Sequence, residues 1–148
     1  MRIARFLFCT LCCTTAVIIK SNGGPAGNQT KTDEFIIEPP TLICAGFEWK
    51  ISGDENRNAS VSVSYRKKGI EAWQEALPLL RIGNEKIYGH EQRWVYTTPN
   101  MFAGSIFNLE PGSVYECHFK LTDPDGIEGE SEHKVFVQTK SEPRPYGL

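Results

Sequence analysis

The sequence has little net charge, no internal repeat, no long amphipathic helical stretch and none of the motifs that mark an active site. Sixteen Lys and Arg against eighteen Asp and Glu leave −2 at neutral pH. That balance argues against a general nucleic-acid binder. No GxSxG nucleophile turn occurs, and no Gly-rich phosphate loop. No paired carboxylates stand in a recognisable setting, and the integrin-type tripeptide RGD is missing. No strand-like segment alternates with a long amphipathic helix, which excludes a parallel α/β sheet. Nothing here implies catalysis or a cofactor.

What is present begins with targeting. Arg2 and Arg5 precede an uncharged run from Phe6 to Ile19, fourteen residues long, and a small, polar stretch follows it. A membrane-spanning helix needs about 20 apolar residues. The layout is that of a secretory signal peptide, expected over residues 1–26 with Ala26 at a weak cleavage site. The expectation is therefore export to the exterior, cell surface or periplasm, with no membrane insertion once the signal is removed. Without Arg2, Arg5 and Lys20 the remainder is mildly acidic.

The composition beyond this point leans toward β-structure: thirteen Gly, nine Pro and many Val, Ile, Thr and aromatic residues. Residues 27–32 read as a flexible leader. Phe35-Ile36-Ile37 reads as a short edge strand stopped by Pro39-Pro40. Alternation places Ile43, Ala45, Phe47, Trp49 and Ile51 on one strand face. Val61, Val63 and Tyr65 oppose Ser60, Ser62, Ser64 and Arg66, giving one core face and one wet face. Residues 72–82 read as one extended segment with an edge or kink at Pro78, Arg93 to Thr97 as a hairpin arm, and 101–109 as a further strand. Tyr115, Cys117, Phe119 and Leu121 alternate with Glu116, His118 and Lys120. Asp123-Pro124-Asp125-Gly126 is a hairpin turn, and 133–139 is the last strand. The fold class is all-β: an antiparallel β-sandwich of about seven strands.

The segment Leu109-Glu110-Pro111-Gly112-Ser113-Val114-Tyr115 resembles the fibronectin type III signature leading into that family's sixth strand. There a buried tyrosine hydroxyl meets nearby backbone, the tyrosine corner. Leu109 would plug the end of the sandwich and Pro111-Gly112 would set the turn. Trp49 resembles the family's core tryptophan, and Tyr65 to Gly69 followed by Trp73 resembles its third strand. The resemblance covers residues 33–140. More narrowly, GFEW (46–49), LLRIG (79–83), PNMFAGSIFNLEPG (99–112) and LTDPDG (121–126) resemble the module that precedes right-handed parallel β-helix domains in exported bacterial proteins. Residues 141–148 then read as a linker-like tail. The long 83–100 segment departs from the plain type III pattern. No β-helix follows, so no carbohydrate-cleaving activity transfers.

Several residue groups could carry function. Tyr88, His90, Arg93, Trp94 and Tyr96 form an aromatic-basic cluster suited to sugar rings or a protein partner; the blander expectation is that Trp94 and Tyr96 cover the sandwich edge. Cys44 and Cys117 form an even pair in an exported chain, which invites a disulfide. Strand parity puts Cys117 inward and Cys44 outward, which opposes it unless a bulge at Gly46 flips the register. Asp123, Asp125, Glu128 and Glu130 could hold calcium but lack the calcium-loop spacing. His118 and His133 could be cross-strand neighbours on the exposed face, without a third ligand for zinc. Asn28 and Asn58 begin N-glycosylation sequons.

The expectation is a secreted, non-catalytic fibronectin type III-like module, a spacer or interaction domain accessory to, or a fragment of, a larger extracellular protein. Its partner would be a protein or a polysaccharide, not nucleic acid. The rivals are a carbohydrate-binding module using exposed aromatics, and an appendage of a truncated exported polysaccharide hydrolase or lyase.

Overall fold

A computed structural model describes residues 27–145. The signal-peptide reading lies outside the described residues. Eleven strands are present among them: β1 (Thr30–Ile37), β2 (Ala45–Ser52), β3 (Ser60–Lys67), β4 (Gln74–Glu75), β5 (Leu80–Ile82), β6 (Lys86–Tyr88), β7 (Val95–Thr97), β8 (Met101–Ile106), β9 (Val114–Thr122), β10 (Ile127–Glu128) and β11 (Glu132–Gln138). One 3₁₀ turn, His90–Gln92, interrupts them. The strands form a five-stranded sheet in the order β10-β1-β2-β8-β5, a four-stranded sheet in the order β11-β9-β3-β4, and the separate hairpin β6-β7. The protein is all-β and sandwich-like.

Period-2 alternation builds the core. In β2 every second residue from Ala45 to Ile51 is buried; in β9 the same holds from Tyr115 to Leu121. The two sheets meet through Phe47 of β2 and Phe119 of β9, whose ring centroids are 4.6 Å apart. Val61, Val63, Phe102, Ile106 and Val137 complete the interior. Trp49 is wholly buried at its centre, edge-on to Phe35 at 5.6 Å.

Several elements differ from the sequence reading for identifiable reasons. The first strand starts at Thr30, inside the expected leader. Thr30 is fully buried, and its N–H and hydroxyl both donate to Asp123, at 2.8 and 2.6 Å. β2 flanks β1 on one side, and β10, in the only parallel pairing among the described residues, covers just Thr30 and Lys31 on the other, so Phe35 to Ile37 pair with β2 alone. Ile43 leaves the core face because Thr41 to Cys44 form a tight turn, closed by the Thr41 N–H on the Cys44 carbonyl at 2.9 Å; its side chain is exposed. Residues 72–82 split between sheets. β4 pairs with β3, β5 pairs with β8, and Pro78 sits at the crossing, where a missing N–H costs nothing. Gly104 lies under it; a Cβ there would come within 3.0 Å of Leu79. β8 ends at Ile106, and Leu109 is buried from the loop beyond.

The Tyr115 hydroxyl accepts the Glu110 N–H at 2.9 Å. Buried Thr139 closes the same turn, donating to the Glu110 carbonyl at 2.7 Å and accepting the Ser113 N–H at 3.0 Å. Tyr65 packs beside Tyr115 at 6.1 Å. Pro111 is exposed at the turn. Trp73 is not a core residue. It lies on the outer face of the four-stranded sheet, with the Arg66 guanidinium 4.5 Å above its ring.

Candidate functional site

Three loops converge at one end of the sandwich. They are the β2–β3 turn (53–58), the β9–β10 turn (123–126) and the root of the β6-β7 hairpin, which leaves the body between Gly83 and Asn100. Buried Asp54 anchors the first of them to β5. Its Oδ1 accepts the Ala59 N–H at 3.1 Å, closing its own turn, and its Oδ2 pairs with Nε of the nearly buried Arg81. Arg57 reaches from the same turn to the Gly83 carbonyl and to Glu85, at 3.0 Å in the ion pair. Asn56 and Asn58 donate to Asp125 at 2.7 and 2.9 Å. The Asn100 amide donates to the Gly53 carbonyl at 3.1 Å. The β2–β3 turn, the end of β5 and the two feet of the hairpin border an open cavity of about 550 Å³, lined among others by Asp54, Arg57, Arg81, Asn84 and Asn100.

The backbone around this cavity is unusual. Asp54, Arg57 and Asn84 all adopt left-handed φ between 50° and 58°. Non-glycine residues there are uncommon, and such conformations concentrate at binding and switch sites. The hairpin root is held firmly: the Thr98 hydroxyl donates to Glu85 at 2.8 Å and accepts the Glu85 N–H at 2.9 Å. Hydrogen bonds from Thr98 and the Gly83 N–H, with Arg57 nearby, bring the Glu85 carboxyl down to about 2.

Beyond that root the hairpin carries the aromatic cluster. Tyr88, Trp94 and Tyr96 are 58%, 57% and 51% exposed, and Ile87 and Val95 are exposed beside them. The expectation that Trp94 and Tyr96 cover the sandwich edge is therefore corrected. The reason is register: β6 and β7 pair with each other, Ile87 opposite Tyr96 and Tyr88 opposite Val95, and with no other strand among the described residues. Trp94 lies against the backbone of Gly89, where a Cβ would meet its indole at 2.0 Å. Arg93 is spent on Glu91 within the turn. His90 is exposed in the 3₁₀ turn.

The other candidates resolve as follows. His118 and His133 lie on opposite faces, since His133 is registered with Phe119 and His118 with Lys134. His118 faces out toward Glu132 at 3.2 Å. His133 turns in, with ring centroids 4.4 Å from Phe35 and 4.5 Å from Trp49. Burial lowers its pKa below the usual imidazole value. Asp123 and Asp125 are engaged in hydrogen bonds, Glu128 pairs with Lys31 at 2.8 Å, and Glu130 faces His133 at 3.6 Å. No group of three or more His, Cys, Asp or Glu that could hold a metal ion occurs among the described residues. Cys44 and Cys117 are free thiols. Cys117 is buried, which pushes its thiol up to about 12; Cys44 sits in its turn 3.0 Å from the Thr41 hydroxyl. The alternation of β2 is unbroken at Gly46, and the irregularity lies in β1 between Thr32 and Phe35. Asn28 is partly exposed and Asn58 exposed.

Sequence reasoning missed Asp54, Arg57 and Arg81. Residues 52–58 (SGDENRN) read from sequence only as a turn cluster, and nothing local marks one of its carboxylates as buried. Arg81, inside an otherwise apolar segment, was the available signal. No helix among the described residues is long and apolar enough to cross a membrane. Neither a protein-family model nor a curated protein matches the sequence.

Proposed function

We propose that this chain is an exported, non-catalytic, fibronectin type III-like interaction module that makes contact through its loop end. The observation that carries the reading is the hairpin. Tyr, Trp, Ile and Val side chains stand in solvent on an element that buries little of itself against the body. Burying a large apolar side chain such as Leu or Phe contributes roughly 1.5–3 kcal/mol; leaving three aromatic rings exposed on a rooted arm is the signature of a contact surface. The family reading is supported by the Tyr115 hydroxyl on the Glu110 backbone and by the buried Trp49. A spacer role is supported by the strand ends. β1 begins beside Asp123 and β11 finishes beside Val114, at opposite ends of β9.

The test places a photoreactive phenylalanine analogue at position 88 of the full chain, and in parallel at Ser62 on the outer sheet face. Each is irradiated with extracellular material from the source culture. Crosslinks from position 88 alone, lost in Trp94→Ala/Tyr96→Ala, are expected. Equal crosslinking from both positions, or none, overturns the reading.

A further inference from the structure

We infer that the loop end takes a neutral oligosaccharide, one sugar seated in the cavity and the next stacked on the hairpin rings. The inference rests on the hairpin being a contact surface and adds the chemistry of what it contacts. Charge is the first argument. Asp54 is matched by Arg81, Arg57 by Glu85 and Arg93 by Glu91. Glu55 on the cavity wall, Asp123 and Asp125 in the β9–β10 turn and Lys86 on the hairpin are the Asp, Glu, Lys and Arg charges left without an ion pair among the described residues there, an excess of negative charge. An anionic chain meets no free guanidinium, so polyanions, acidic glycans and anionic lipid surfaces are disfavoured.

The second argument is the kind of polar group. Guanidinium, carboxylate and the Asn84 and Asn100 carboxamides put donors and acceptors side by side around about 550 Å³. Arg57, Arg81 and the Asn100 amide already bond within the wall. Carboxylate and carboxamide oxygens accept more than one hydrogen bond, however, and the Asn84 carboxamide is free among the described residues. A polyhydroxyl ligand, each of whose hydroxyls donates and accepts, therefore matches this wall better than an apolar one. The third is position. Gly83, Asn84 and Asn100 line the cavity and are also the two feet of the hairpin. Asn84 and Tyr88 are four residues apart, about 13 Å along an extended chain, within the span of a short oligosaccharide. Pyranose rings present C–H faces that pack on exposed aromatic planes. The bonds between Glu85 and Thr98 hold that arm in place before binding, which reduces the ordering cost.

The experiment is affinity electrophoresis of the full chain through gels holding neutral polysaccharides (glucan, mannan, galactan, xylan) or acidic ones (alginate, polygalacturonate), with oligosaccharide calorimetry on any hit. At least one neutral polymer should retard the chain. Trp94→Ala should weaken binding at least tenfold, and so should Asn84→Gly, which removes the carboxamide but keeps the left-handed backbone. Both variants should melt with the parent. Retardation by no neutral polymer, by acidic polymers alone, or equally for both variants and the parent overturns the inference. Crosslinking from position 88 that persists when neutral polymers fail to bind would leave the interaction module standing and remove only its sugar.

Discussion

At the residue scale, two buried polar groups decide how the loop end behaves. Asp54 has no exposed surface and Arg81 is its counter-charge. Removing one member of such a pair strands the other, at about 3–5 kcal/mol. Asp54→Ala should therefore lower the urea midpoint sharply, while Glu91→Ala, in an exposed ion pair, should change stability by less than about 1 kcal/mol. His133 acts in the opposite direction. Phe35 and Trp49 crowd its ring, Glu130 is the only carboxylate near it in the structure's ion pairs, and burial holds it neutral. With the folded pKa below the unfolded value of 6.5, the unfolded chain takes up the proton first. Stability should be constant above about pH 6.5 and fall as the pH drops below it. A series of melts from pH 7.5 to 5 checks this, and His133→Gln should flatten the slope in that window.

At the element scale, β1 is tied down where the sequence looks loose. A chain beginning at Asp33 loses the two Thr30 bonds to Asp123 and the parallel pairing with β10. Hydrogen bonds to a charged acceptor contribute about 1.5–3 kcal/mol each, so its melting temperature should fall by roughly 10 °C or more. An unchanged melt would restore the leader reading. The elements legible from sequence were those with one wet face and one dry face: β2, β3 and β9 announce themselves because every second residue is apolar. The sheet switch at 76–79 does not, because one apolar segment serves two sheets and periodicity carries no record of which neighbour a strand pairs with. The small Thr30 is equally silent; its burial depends on a carboxylate 93 positions away. The aromatic cluster at 88–96 was visible as a composition, but its exposure was not, since exposure follows from β6 pairing with β7 alone.

At the scale of the whole molecule, one interior serves both large sheets, with Trp49 at its centre. Trp49→Ala should cost about 3–5 kcal/mol, a large part of the 5–15 kcal/mol typical of a domain. Far-UV circular dichroism and intrinsic fluorescence should report a single shared transition in the parent. The Trp94→Ala/Tyr96→Ala variant should melt within about 0.5 kcal/mol of the parent, as an exposed arm outside that interior must. A loss comparable to Trp49→Ala would mean that the arm is part of the core after all.

The placement of the first and last strands at opposite ends has a mechanical consequence. Tension applied through the start of β1 and the finish of β11 runs along the strands, and antiparallel ladder bonds lie across them. The load is then shared by many rungs that must give way together, as when two rulers are slid past each other. In a tether that geometry resists stretching until it yields abruptly.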